Sequence, residues 1–214
     1  FLMEHQDLYE KDLFDSIKER GTSFLEEEII PDVFMQIYDA IGILPDDKNN
    51  YLKFLKLLKQ RYVLEKNILE VGCGILPRLG VYLSKQQTEN GTVTVMDPVL
   101  GKEFHHLNFT GLKQKVDEFT DFSPYDLVIG QYPCEATEIT IEKACEYQKD
   151  FYLLLCGCTH FRSPLPFMTT PKFYREYLYE KTTDLLQKYD NGKLKVLKPG
   201  NENPFLYPII TNEK

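Results

Sequence analysis

No part of this chain stays apolar for the roughly 18–20 residues a membrane span needs, so the sequence offers no transmembrane helix. Basic residues are in the minority: 25 Lys and Arg against 33 Asp and Glu leave a formal charge of −8, with no Lys or Arg run. Such a surface gives a polyanion no electrostatic help, which argues against nucleic acid as acceptor or partner. Cysteine is confined to Cys73, Cys134, Cys145, Cys156 and Cys158, an odd number without the spacing of a disulfide framework. No leader-like pattern accompanies them, and the expectation is reduced thiols in a cytoplasm. The first residue is Phe1 rather than Met, which reads as a trimmed or altered start. Internal repeats and low-complexity segments are absent. What remains is 43% hydrophobic and 13% aromatic, enough for a packed core and against disorder. A length of 214 residues fits one domain with an appended segment, or two small domains.

The densest signal is NILEVGCGILPRLG at 67–80. It predicts a strand over Asn67–Val71, a turn at Gly72 and Gly74, and a helix from Arg78 to Gln87 behind Pro77. Strand, glycine turn and helix open a nucleotide-binding βαβ unit, where glycine lets backbone approach a ligand closely. Thr92–Met96 is β-branched and ends at Asp97-Pro98. An acidic residue about 20 positions beyond the glycines is where a ribose diol is held.

Ahead of this unit, weak helical spacing over Leu8–Arg20, Phe24–Ile43 and a third segment from Pro45 to about Arg61 predicts a helical cap, residues 1–62. Amphipathic helices of this kind otherwise simply cover a sheet. Behind it, residues 98–110 lack a helical pattern, so the crossover is a loop or a short helix. Leu112–Val116 reads as a third strand followed by Asp117 and Glu118, and LVIG at 127–130 as a fourth. Glu138–Lys149 reads as a helix, the apolar run at 151–158 as a strand buried on both faces, and Lys172–Tyr189 as a helix closed by Asn191-Gly192. Leu194–Leu197 and Phe205–Ile210 predict a terminal antiparallel pair. The expected architecture is α/β: a Rossmann-like, doubly wound, mostly parallel sheet over 63–214 with a C-terminal hairpin.

Ligands of open α/β sheets bind beyond the carboxyl ends of the strands, which brings Gln131, Tyr132, Pro133, Cys134 and Glu135 forward. Tyr132 can stack or hydrogen-bond. Glu135 and Glu138 suit a general base or an amine contact, and equally a surface position at a helix start. Arg78 suits a ligand carboxylate or an ion pair with Glu70 or another acid. Cys73 between two glycines reads as packing. Cys156, Cys158 and His160 alternate along one stretch, but no second ligand pair accompanies them and no metal is expected. His105 and His106 are read as loop residues near the pocket rim.

Glu70, Val71, Gly72, Cys73 and Gly74, followed by Asp97, resemble the first two motifs of class I S-adenosylmethionine-dependent methyltransferases, over roughly residues 60–160. The resemblance implies S-adenosylmethionine as cofactor, with Gly72 and Gly74 beside its methionine part, Asp97 on its ribose hydroxyls, and Glu70 and Cys73 among the cofactor-binding residues. By the same resemblance Asp117, or its neighbour Glu118, meets the adenine amino group. Arg78, Pro98 and Gln131 complete the cofactor-side candidates, and the helical cap lies over the pocket. Tyr132 and Glu135 are left as catalytic candidates toward a small-molecule or protein acceptor. GQYPCE at 130–135 lacks the Asn/Asp-Pro-Pro-aromatic pattern of base and amide methylation. The chain departs from the family where a third glycine is frequent: Leu76 stands there, followed by Pro77. Gly-x-Gly-x-Leu-Pro is also similar to nicotianamine synthase-type proteins, which transfer the aminocarboxypropyl arm. A non-catalytic binding protein is a further alternative. A nicotinamide dehydrogenase fits less well, because Pro77 replaces its third glycine.

Overall fold

The structure, a computed structural model, describes residues 53–60, 66–74, 77–87, 91–156, 171–200 and 203–214. The helices expected over Leu8–Arg20 and Phe24–Ile43, together with Cys158 and His160, lie outside these residues. Residues 53–60 are helical (α1). The chain then alternates: β1 Ile68–Val71, α2 Arg78–Ser84, β2 Val93–Met96, β3 Phe104–His105, β4 Phe109–Leu112, β5 Leu127–Gln131, α3 Thr137–Glu146, β6 Asp150–Leu154, α4 Pro171–Tyr189, β7 Lys193–Leu197 and β8 Ile209–Glu213.

One sheet collects the strands in the order β3-β4-β2-β1-β5-β6-β8-β7. The central strands β4, β2, β1, β5 and β6 run parallel, and β3, against β4, and β8, between β6 and β7, run antiparallel to their neighbours. Successive side chains of a strand face opposite ways, and both faces are covered. Ile68, Val95, Ile129 and Tyr152 share one core with Phe54 and Leu58 of α1 and Leu79 and Leu83 of α2. Leu69, Val128, Phe151 and Leu153 share the other with Ile141 and Ala144 of α3 and Leu178 and Leu186 of α4. The sheet is doubly wound. The chain builds outward from β1 to β2 and β4, then returns to β5 on the other side, so the winding reverses between β1 and β5.

Two strands lie elsewhere than their sequence pattern suggests. The third parallel strand is Phe109–Leu112, not Leu112–Val116, and residues 98–110 contain the edge strand β3 rather than a loop alone. Gly111 disguised it, since glycine weakens a strand. The Phe104 ring fills the place of the missing side chain: the two residues are cross-strand partners, and a Cβ at Gly111 would lie 2.2 Å from Phe104 Cε1. The last strand is Ile209–Glu213, later than Phe205–Ile210, and it inserts between β6 and β7. Phe205 is buried from a loop, in which Asn203 Nδ2 donates to the carbonyls of Leu197 (2.8 Å) and Tyr207 (2.9 Å). The new strand end is polar yet buried: Phe151 N–H donates to Asn212 Oδ1 at 3.0 Å, and Asn212 Nδ2 to Asn191 O at 3.1 Å.

Candidate functional site

At the carboxyl end of β1 the chain turns through Gly72 (φ 76°) and Gly74 (φ 74°), both left-handed and costly for any residue with a side chain. Gly72 N–H still donates to Met96 O at 3.0 Å, which holds the turn against β2. The two glycines serve different needs. A Cβ on Gly72 would meet Pro133 Cα at 2.7 Å, whereas a Cβ on Gly74 would meet nothing within 4 Å among the described residues. The first is a packing contact between the loops after β1 and β5. The second leaves the space beside its Cα clear of the described residues.

Asp97 fastens the turn. Its Oδ2 accepts from Gly74 N–H at 2.8 Å and its Oδ1 from Val99 N–H at 2.9 Å, and the residue is buried. Pro98 follows on the exposed side of the same turn. Each Asp97 oxygen keeps a second lone pair for a further donor. The two sequence motifs thus meet in one hydrogen bond.

Glu70 points the other way, onto α2. A Cβ on Gly80 would fall 2.8 Å from Glu70 Oε2 and 2.3 Å from Val95 Cγ1, so only glycine lets α2 approach β1 this closely. Burial pushes the Glu70 carboxyl up to about 8; the Gly80 amide pulls it down, and the charge of Asp97 raises it further. Burial, joined by the charges of Glu70 and Asp97, likewise drives the Cys73 thiol upward, away from a reactive thiolate. Arg78, half-exposed, opens α2 beyond Pro77.

On the other side of the winding reversal, Gln131 ends β5. Among the described residues its Oε1 is one of the buried side-chain oxygens without a hydrogen-bond partner, as is Glu70 Oε2. Tyr132 follows in a left-handed conformation (φ 60°), its ring edge-on to Tyr207 at 6.2 Å between centroids. Such strain is rare outside glycine and collects at functional sites. Burial and the neighbouring Tyr207 and Cys156 hold the Tyr132 phenol above its usual range. Glu135 is exposed on the short 3₁₀ turn Cys134–Ala136.

Glu138, His105 and His106 stand elsewhere than expected, while Asp117 and Glu118 follow β4 at a distance. Glu138 is not a surface residue: it is 2% exposed, and its Oε2 accepts from Lys181 Nζ (2.9 Å) and Tyr177 OH (3.2 Å), tying α3 to α4. Asp117 stands five residues past the end of β4, its Oδ1 accepting from Phe119 N–H and Thr120 OH, both at 3.0 Å. Glu118 is exposed and presents its carbonyl to Lys143 of α3 at 3.0 Å. His105 and His106 belong to the β3–β4 hairpin, whose bend precedes β4. They lie at the amino-terminal edge of the sheet, opposite the glycine turn. Sequence reasoning missed Gly80 and Tyr207, neither of which carries a motif; the signal was only that Gly80 stands in a helix. Among the described residues no group of three or more His, Cys, Asp and Glu is arranged to hold a metal, and no helix is long and apolar enough to cross a membrane.

Neither a family model nor a curated protein sequence matches the chain. Solved structures do. The methyltransferase domain of bacterial CtHen1-CN superposes with a TM-score of 0.50 at 14% identity, over 77% of this chain and 97% of that one. An S-adenosylmethionine-dependent O-methyltransferase from Thermotoga maritima gives 0.46 at 14% over 79% of this chain and 64% of its own. A methyltransferase dependent on the same cofactor from Aquifex aeolicus gives 0.44 at 18%, over 73% and 86%. The first of these carries the assignment: the chain has the fold of the class I S-adenosylmethionine-dependent methyltransferases.

Proposed function

We propose that the chain is an S-adenosylmethionine-dependent methyltransferase acting on a small molecule or a protein side chain. The observation that carries the reading is the turn between β1 and α2, where Gly74 is latched by its amide to Asp97 while no described residue fills the space a side chain would take. That space, the spare lone pairs of Asp97 and the unpartnered Gln131 Oε1 suit a ligand that brings hydroxyl and amino donors. Gly72, Cys73 and Gly74 would line its amino-acid end with backbone, Arg78 its carboxylate, Asp97 and Pro98 the ribose, and Asp117 the base. Glu70 supports this turn from beneath. Bound, the cofactor supplies a methyl group on a sulfonium, a leaving arrangement that needs little acid–base help.

What the protein contributes is alignment and exclusion of water. Tyr132 and Glu135 are assigned to the acceptor side, Tyr132 with its ring edge-on to Tyr207. The acidic composition favours an acceptor other than nucleic acid. The helical segment before β1 is assigned a covering role over the pocket.

Incubation with S-adenosylmethionine and pooled acceptors, followed by mass analysis of the nucleoside product, tests the reading. S-adenosylhomocysteine supports methyl transfer. Methylthioadenosine would instead establish transfer of the aminocarboxypropyl arm.

A further inference from the structure

We propose that Cys134 and Cys156 are a reversible redox modification site, closing to a disulfide at the carboxyl edge of β5 and β6. Gln131 and Leu154 are paired in the parallel register of these strands, so Cys134 and Cys156 leave adjacent strands three and two residues later. Their sulfurs lie 3.9 Å apart, with the Cys134 thiol directed to Cys156, and both residues are partly accessible. Closure requires the sulfurs to approach from 3.9 Å to about 2 Å. Cys134 holds a left-handed φ of 48° in the loop that carries Pro133 against Gly72, so the site is coupled mechanically to the glycine turn.

A peroxide is the natural oxidant class. One thiolate attacks an oxygen of hydrogen peroxide; the S–O bond forms as the O–O bond breaks, and the departing hydroxide is protonated to water. The second thiolate attacks that sulfenic sulfur; the S–S bond forms, the S–O bond breaks, and a second water leaves. Two thiols lose two electrons and two protons, and the peroxide is reduced to two waters.

The test uses the full chain, reduced and then treated with one equivalent of hydrogen peroxide or with glutathione buffers of stepped ratio. Peptide mapping is expected to show a Cys134–Cys156 crosslink, about 2 Da lighter than the two thiol peptides and reversed by dithiothreitol. Cys156→Ser abolishes it, while Cys145→Ser leaves it intact. Cys134 recovered as an alkylated thiol from the oxidised chain, or Cys156 crosslinked elsewhere, overturns the proposal. A second arm rests on the methyltransferase reading: S-adenosylhomocysteine should bind the oxidised chain about tenfold more weakly than the reduced one. Equal binding overturns the coupling to the glycine turn. A crosslink with no binding by either form upholds the modification site and defeats the methyltransferase reading instead.

Discussion

Glu70 carries a charge cost that shows as a dependence of stability on pH. Its carboxyl titrates near 8 in the folded chain against 4.5 in the unfolded one, so between those values the folded state holds a proton that the unfolded state has released. Stability contributed here is whole below pH 4.5 and is lost as pH rises toward 8. Glu70→Gln keeps an acceptor for the Gly80 amide and cannot ionise. Urea unfolding should find it close to wild type at pH 4.5 and more stable by a few kcal/mol at pH 8.5, since each tenfold change in proton affinity between the two states is worth about 1.4 kcal/mol. A constant difference across that range would contradict the assignment. The glycines of the turn make a paired prediction. Gly72→Ala meets both left-handed strain and the Pro133 backbone, and should cost at least about 2 kcal/mol of stability. Gly74→Ala meets strain alone, about 1–2 kcal/mol, with its larger effect on ligand binding. Calorimetric unfolding of the two variants separates them.

Between elements, α3 and α4 are held by Lys181, which bridges Glu138 at 2.9 Å and Glu142 at 2.6 Å. Burial works against the lysine's charge, but hydrogen bonds to Glu142 and Glu138 outweigh it and raise its pKa. Lys181→Met would strand the buried Glu138 carboxylate at a cost of about 3–5 kcal/mol, and adding Glu138→Gln should recover part of the loss in chemical denaturation. At the opposite edge, Gly111→Ala pushes its new methyl into the Phe104 ring and should cost about 1–3 kcal/mol. Combining it with Phe104→Ala should cost less than the sum of the two single changes, whereas strict additivity would deny the contact. These elements also mark what a sequence can and cannot tell. β5 and β6 were legible because a strand buried on both faces is an apolar run, β1 because such a run ends in the glycine turn, and β2 by its β-branched alternation. The β3–β4 hairpin and β8 were not, since Gly111 is completed by a ring from another strand and Thr211, Asn212 and Glu213 satisfy or expose their polar groups where no periodicity records it.

At the scale of the molecule, the candidate site is where two halves of the sheet part. The glycine turn and Asp97 come from one half, Gln131 and Tyr132 from the other, and Pro133 against Gly72 joins them. Gly72, Gly74 and Asp97 were readable because their spacing along the chain mirrors adjacent strand ends. The contacts of Pro133 with Gly72 and of Tyr207 with Tyr132 join segments far apart in sequence, and that of Cys134 with Cys156 depends on the register of β5 and β6, which spacing does not encode. His105 and His106 show the converse: residues that attract attention in a string, carried by the hairpin to the far edge of the sheet. The most direct test of the account is isothermal titration of the reduced chain and its Asp97→Ala variant with S-adenosylhomocysteine, with NADH alongside. Micromolar binding by the wild type, weakened at least about tenfold in the variant and absent for NADH, is the predicted result. No heat from either ligand, or undiminished binding by Asp97→Ala, would contradict the claim that the latched glycine turn is the cofactor site.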